Sequence, residues 1–105
     1  LMAPATPGLK AALDEAEIGE AQLPIYANVD AQPSTCHDVA RIKLLRQLTS
    51  PVRWVDSVRN LATQHPDALF LEIGTGSVLT GLVKRIAPEV ETACCGTPAE
   101  VEALL

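Results

Sequence analysis

The stretch LFLEIGTGSVLTGLVKR, residues 69–85, limits the possible folds of this chain more than any other. An apolar run interrupted by Glu72 leads into Gly74 and Gly76, and beyond Ser77 apolar residues recur with helical spacing at positions 78, 79, 82, 83 and 86. This order predicts a buried strand that turns sharply, through glycines, into a helix packed against it. An acidic residue before paired glycines also begins many nucleotide-binding turns, so the stretch raises the question of a cofactor.

Four further segments carry apolar residues at helical spacing, and each has start or stop signals that fit a helix. They are residues 4–16, the segment through Leu48 that Ser34 or Thr35 caps, the segment from Ser50 and Pro51 to Gln64, and the segment opened by the capping box of Thr97, Pro98 and Glu100. Proline then stops two of the predicted helices, at Pro66 and at Pro88.

Two more apolar runs, residues 23–29 and 91–96, predict strands. The first is apolar on both faces, which is typical of a buried parallel strand. Three strands that alternate with helices predict an α/β fold, in which helices cover both faces of a short, mainly parallel sheet. Because the outer edges of so small a sheet would expose unpaired backbone, we expect the chain to be a piece of something longer.

Composition excludes several classes of function. The 105 residues are 48% hydrophobic, which is enough for one small domain with a modest core. The net charge of −5 does not suit a protein that binds the phosphate backbone, so nucleic acid is not an expected partner. No apolar run is long enough to span a membrane and no signal peptide is visible, so we expect a cytoplasmic protein without a membrane partner.

The glycine turn departs from the established cofactor motifs. A dinucleotide-binding turn needs a third glycine where Leu79 stands, and a Walker loop needs Lys followed by Ser or Thr after its last glycine. The turn also resembles the first motif of adenosylmethionine-dependent methyltransferases, which we keep as an alternative, although Val78 replaces the third glycine of that motif. A turn that is purely structural is the interpretation that the residues favour.

The chain offers no complete set of catalytic or metal-binding residues. None of Ser34, Ser50, Ser57 and Ser77 lies in a Gly-x-Ser-x-Gly elbow, and neither His37 nor His65 has the partners that zinc requires, so no metal site is expected. The three cysteines, Cys36, Cys94 and Cys95, are an odd number, and the adjacent pair points to opposite faces of a predicted strand, so a structural disulfide framework is improbable. We therefore expect this chain to be inactive on its own.

Several segments in order carry a resemblance to a known family: LM before the first helix, then IYANVDA, LLRQLTSPVRW and LEIGTGSVLTGLVKR. Together they resemble the C-terminal third of the malonyl-CoA:acyl carrier protein transacylases, an acyltransferase family. The resemblance implies that residues 1–105 are the C-terminal part of the large acyltransferase subdomain, incomplete without upstream chain, in a larger α/β-hydrolase-like domain. Thr75 and Ser77 depart from the Pro and Lys that the family commonly has in the glycine turn.

The resemblance also implies an activity in fatty-acid biosynthesis. Enzymes of this family move a malonyl group from coenzyme A to an active-site serine and then to acyl carrier protein, with the coenzyme A thioester as substrate and no other cofactor. Their serine, arginine and histidine would lie upstream of this chain. Gln47 matches the residue whose backbone carbonyl accepts a hydrogen bond from that histidine, and so orients it as the aspartate of a classical triad does.

The resemblance implies three partners: the upstream part of the same acyltransferase, malonyl-CoA and acyl carrier protein. Because acyl carrier proteins are acidic and this chain is too, docking would use the absent portion or local cations. The candidate cations are Arg41, Lys43, Arg46, Lys84 and Arg85. The alternative of a different class is a stand-alone, non-catalytic α/β module that binds a partner through its sheet edge.

Overall fold

The computed structural model describes residues 2–105 and divides the chain into two compact units, Leu1–Ser57 and Val58–Leu105. A short 3-10 turn at Ala3–Ala5 precedes the first α-helix. The α-helices are α1 Thr6–Glu15, α2 His37–Gln47, α3 Trp54–Gln64, α4 Val78–Ile86 and α5 Pro98–Leu104, and the strands are β1 Ile25–Tyr26, β2 Pro33–Ser34, β3 Leu69–Ile73 and β4 Glu91–Cys95. The fold is therefore mixed α/β, as the alternation of patterns predicts.

The predicted parallel strand over residues 23–29 is wrong. In the first unit only Ile25–Tyr26 is strand, and it pairs antiparallel with Pro33–Ser34. The chain reverses between them: Asp30 Oδ1 accepts a hydrogen bond from the Gln32 N–H at 3.1 Å, and Ala31 has a left-handed φ of 58°. Ile25 is 59% exposed, so this strand is not buried either. An aspartate that bonds the backbone two residues on is a turn signal that the apolar run conceals.

Helices α1 and α2 contact each other within the first unit, and Arg41 of α2 ties them together. Its Nε donates to the Leu13 carbonyl at 3.2 Å and its Nη2 to the Ala16 carbonyl at 2.9 Å. These carbonyls lie at the end of α1, where they have no donor within the helix. The arginine thus supplies hydrogen-bond donors to two carbonyls at the C-terminus of α1.

Two helix starts differ from the predicted ones. The N-cap of α2 is Cys36, which makes no side-chain capping bond, and the predicted cap Ser34 lies in β2. Helix α3 begins at Trp54 and not at Pro51. The N–H of Arg53 donates to the Asn28 carbonyl at 2.9 Å, so residues 51–53 form a separate segment that is held by the turn after β1.

The second unit contains a parallel pair of strands joined by a helix. Strand β3 pairs with β4 from Leu69 opposite Glu91 to Ile73 opposite Cys95, and α4 connects them and contacts both. The expected three-stranded parallel sheet is thus a two-stranded one in the described residues. The strand β3 is at its predicted position, but its exposed and half-buried residues alternate, and Ile73 is 76% exposed. The prediction that β3 is buried is wrong for this chain.

Other local predictions for the second unit are confirmed. The core of this unit is formed by Val58, Ala62, Val83, Ala87, Val90 and Cys95. Cys94 is exposed and Cys95 is buried, as expected for neighbours on opposite faces of a strand, and both are free thiols. In α5, Thr97 Oγ1 accepts the Glu100 N–H at 3.2 Å, while the Glu100 carboxylate accepts the Gly96 N–H at 3.3 Å.

Candidate functional site

Gln47, the predicted site residue, is the last residue of α2. After it the hydrogen bonds span three residues instead of four. The Leu48 N–H donates to the Leu45 carbonyl and the Thr49 N–H to the Arg46 carbonyl, both at 3.3 Å. In a continuing α-helix, the donor for the Gln47 carbonyl would be the N–H of residue 51. Residue 51 is proline, which has no N–H. The sequence thus removes the α-helical donor of this carbonyl.

Gln47 lines a cavity of about 240 Å³ in the first unit. The cavity walls come from the segment before β1, from β1 and β2, and from one face of α2. The lining residues are Ile18, Gly19, Ala21, Ile25, Tyr26, Ala27, Asn28, Ser34, Thr35, Cys36, His37, Ala40, Lys43, Leu44 and Gln47. Asn28 and Gln47, which belong to two separate motifs of the sequence, therefore line the same space.

Beside Gln47, Lys43 and Asp30 form an ion pair that sequence reasoning did not anticipate. The Lys43 Nζ lies 3.1 Å from Asp30 Oδ2 and donates to the Gln32 carbonyl at 3.3 Å. Burial opposes ionisation of Asp30, but the hydrogen bonds from the Gln32 N–H and Lys43 and the charges of Lys43 and Arg46 leave its pKa lowered. No spacing rule links positions 30 and 43, because only the fold of the turn brings them together.

At the glycine turn, the carboxylate of Glu72 occupies the start of α4. Its Oε1 accepts the Thr80 N–H at 2.8 Å and the Thr80 hydroxyl at 2.7 Å, and its Oε2 accepts the Leu79 N–H at 3.3 Å. The side-chain hydrogen bond from Thr80 is the largest cause of a lowered pKa for Glu72. Free N–H groups at a helix start are what phosphate-binding turns use. Here an anion would have to displace Glu72.

The backbone of this turn explains its glycines. Gly74 has a φ of 141° and Gly76 a φ of 82°, conformations that other residues rarely adopt. The Gly74 N–H donates to the Cys95 carbonyl at 3.0 Å, which extends the pairing of β3 with β4 beyond the strands. The glycines and Glu72 together build the passage from β3 to α4, which is a structural role.

The histidines and cysteines do not assemble a reactive centre. His37 Nε2 lies 3.3 Å from Glu20 Oε1, and its Nδ1 lies 3.1 Å from Asp38 Oδ1 and 3.0 Å from Arg41 Nη1. This is a polar cluster at the start of α2. Over residues 2–105, no His, Cys, Asp and Glu side chains are grouped as metal ligands. No helix in that same range has the length and apolar character to cross a membrane.

The five candidate cations for docking differ in what they contact. Arg41 and Lys43 are used within the fold, as described above. Arg46 is exposed, and its charge helps to lower the pKa of Asp30. Lys84 and Arg85 lie side by side in the last turn of α4, where both are exposed. In the part of the chain that the structure describes, neither has a carboxylate within ion-pair distance, whereas Arg53 is paired with Asp56 at 2.9 Å.

Comparison with known proteins finds malonyl transacylases among the proteins similar to this chain. No family model matches it. A "Malonyl CoA-acyl carrier protein transacylase" of Bacillus subtilis (strain 168) is 38% identical over 102 residues, which are 97% of this chain and 32% of the relative. The chain therefore spans about a third of the length of the curated relatives that it matches.

Solved structures agree with the sequence comparison. An acyl carrier protein S-malonyltransferase from Vibrio cholerae O1 biovar eltor is 36% identical, with a TM-score of 0.88 over 97% of this chain and 33% of the other. A chain in the solved structure of a type II PKS acyl-carrier protein in complex with its malonyl-transacylase is 38% identical to this chain. Its TM-score is 0.88, over 99% of this chain and 33% of the matched chain.

Proposed function

We propose that the chain is the C-terminal part of a malonyl CoA-acyl carrier protein transacylase. Nearly its whole length is homologous to a segment that makes up about one third of such an enzyme. The whole enzyme transfers a malonyl group from coenzyme A to acyl carrier protein in fatty-acid biosynthesis. Residues 1–105 belong to its large subdomain, an α/β-hydrolase-like acyltransferase domain. The observation that carries the proposal is the 38% identity together with a shared fold at a TM-score of 0.88.

The proposed reaction proceeds in two half-reactions through a covalent intermediate. A serine hydroxyl attacks the thioester carbonyl while a histidine takes its proton, and coenzyme A leaves as the protonated thiol. The phosphopantetheine thiol of acyl carrier protein then attacks the seryl ester, and the serine recovers its proton. The serine, the histidine and the arginine that pairs with the malonyl carboxylate lie upstream of this chain, so the chain alone is inactive.

Gln47 contributes its backbone carbonyl to this mechanism. The carbonyl accepts a hydrogen bond from the second ring nitrogen of the histidine, which fixes the tautomer and leaves the other nitrogen to face the serine. Two features support the assignment. Pro51 cannot donate to the Gln47 carbonyl, and the carbonyls at a helix C-terminus carry partial negative charge. That charge stabilises the imidazolium that forms when the serine loses its proton.

The acidic acyl carrier protein docks against Lys84 and Arg85. The two cations are adjacent and exposed at the end of α4, whereas Arg41 and Lys43 are engaged inside the first unit. These 105 residues carry a net charge of −5, which opposes a long-range attraction to an acidic partner, so within this part of the enzyme we assign the attraction to a local pair of cations.

The test compares residues 1–105 with the protein made from the same coding sequence extended upstream of Leu1. Each is incubated with malonyl-CoA labelled in the malonyl group, and then with phosphopantetheinylated acyl carrier protein. We expect label on the extended protein, its transfer to the carrier, and none on the short chain. A label on the short chain would contradict the upstream nucleophile, and an unlabelled extended protein would contradict the function.

A further inference from the structure

Lys43 is a nearly buried lysine that the proposed chemistry leaves without a role. Its residue exposure is 9%, and it lines the same cavity as Gln47. Lysine is almost never buried unless it is paired. Here Asp30 supplies the pair at 3.1 Å and the Gln32 carbonyl accepts a second bond at 3.3 Å. Both partners belong to the turn over residues 27–32, which joins β1 to β2.

Hydrogen bonds within the turn over residues 27–32 hold its backbone in place. The Ala31 N–H donates to the Ala27 carbonyl at 2.9 Å, and Ala31 is fully buried with a left-handed φ of 58°. Asp30 Oδ1 accepts the Gln32 N–H, so one oxygen of the carboxylate shapes the turn while the other holds Lys43. A left-handed conformation at a residue with a Cβ persists only where its surroundings impose it.

The turn holds the chain on both sides of Gln47. Lys43 lies one helical turn before Gln47, so the ion pair attaches the last turn of α2. The Asn28 carbonyl accepts the Arg53 N–H at 2.9 Å, so the same turn also attaches the segment after Gln47. The segment that contains Gln47 is therefore held at Lys43 and at Arg53 by contacts to the same turn.

We propose that Lys43 and Asp30 are positioning residues for the transfer reaction, because their ion pair sets the direction in which the Gln47 carbonyl meets the catalytic histidine. The inference rests on the proposed function of Gln47. Neither side chain touches the substrate. Their effect is on the geometry of the histidine, so it acts on the rate of transfer and leaves the binding of malonyl-CoA nearly unchanged. A displacement of about 1 Å near a catalytic group can cost about a hundredfold in rate.

The experiment uses the full-length transferase that contains this segment. Lys43→Met keeps the aliphatic stem but removes the charge, and Lys43→Arg keeps the charge. Thr97→Ala, which removes the cap of α5 in the second unit, is the control for a general loss of stability. We measure kcat and KM for malonyl-CoA, together with the urea midpoint of each variant.

We expect Lys43→Met to lower kcat about tenfold or more with KM changed less than about twofold, Lys43→Arg to restore most of kcat, and Thr97→Ala to lower only the urea midpoint. If Lys43→Met does not fold, Asp30→Asn replaces it, since asparagine keeps the acceptor for the Gln32 N–H but removes the charge that holds Lys43. A folded variant of either position with wild-type kcat overturns the inference. An inactive wild-type enzyme overturns the proposed function instead.

Discussion

The carboxylate of Glu72 accepts both the N–H and the hydroxyl of Thr80, at 2.8 and 2.7 Å. The acidic residue that suggested a cofactor site therefore accepts two of the N–H groups in the first turn of α4, which have no partner within the helix. Where a nucleotide-binding turn presents these N–H groups to phosphate, this chain presents them to its own side chain. The arrangement leads to a test based on pH.

Replacing Glu72 with glutamine should destabilise the protein in a pH-dependent way. The folded-state pKa of Glu72 lies below its ordinary value of 4.5, mainly because Thr80 bonds the ionised form. Its contribution is therefore fully present above pH 4.5 and is lost as the pH falls through the folded-state pKa. Urea unfolding should show a lower midpoint for Glu72→Gln at pH 7 and a smaller difference near pH 3. Glu89→Gln, an exposed control, should show no such trend.

Substitutions at the end of α2 should separate the Gln47 side chain from its carbonyl. Because the proposed role is a main-chain one, Gln47→Ala should keep kcat/KM for malonyl transfer within about threefold of wild type. Pro51→Ala restores an N–H that can compete for the Gln47 carbonyl, so it should cost more, about tenfold or above. Steady-state kinetics on the full-length enzyme checks both. A near-total loss in a well-folded Gln47→Ala would contradict the backbone assignment.

The left-handed conformation of Ala31 should make this position unusually tolerant of glycine. The φ of 58° costs an alanine about 1–2 kcal/mol, and glycine avoids that cost while losing one buried methyl group, worth about 0.8 kcal/mol, and some chain entropy. Ala31→Gly should therefore be close to neutral in the free energy of unfolding. Ala12→Gly, in the exposed face of α1, should cost about 1 kcal/mol. Equal losses at the two positions would contradict the assigned strain.

Gly96 and Gly81 should respond to alanine in opposite directions. A Cβ on Gly96 would lie 2.7 Å from the Gly74 carbonyl oxygen, so the glycine turn and the end of β4 would have to separate. We expect Gly96→Ala to cost about 1–3 kcal/mol, as overpacking does. Gly81 lies inside α4 with nothing within 4 Å of an added Cβ, so Gly81→Ala should stabilise by about 0.5–1 kcal/mol. Chemical unfolding of both variants tests the pair.

Charge reversal at the end of α4 should weaken the carrier protein's interaction selectively. The double variant Lys84→Glu and Arg85→Glu should raise KM for acyl carrier protein about tenfold, with KM for malonyl-CoA unchanged. The effect should shrink at high salt, because exposed charges are screened. Arg59→Glu, an exposed cation of α3, is the matched control and should leave both constants unchanged. Equal effects of the two reversals would contradict a local docking surface.

The sequence by itself determined the features that a few adjacent residues carry. The strand Leu69–Ile73, the helix that follows it and ends before Pro88, and the cap made by Thr97 are at their predicted positions, because turn, stop and cap chemistry is local. The missing donor at Gln47 has the same origin, since proline lacks an N–H in any fold. The resemblance to acyltransferases was likewise visible in the sequence, because it rests on short motifs that follow one another in the order typical of the family.

Tertiary structure decided which segments pair and which polar groups meet. An apolar run such as residues 23–29 is compatible with a buried parallel strand or with a short antiparallel pair, and the turn at Asp30 and Ala31 selected the second. The contacts of Lys43 with Asp30, of Arg53 with Asn28 and of Glu72 with Thr80 join positions that no periodicity relates. Burial and hydrogen bonding are satisfied through space, so these contacts follow from the folded chain and not from its local patterns.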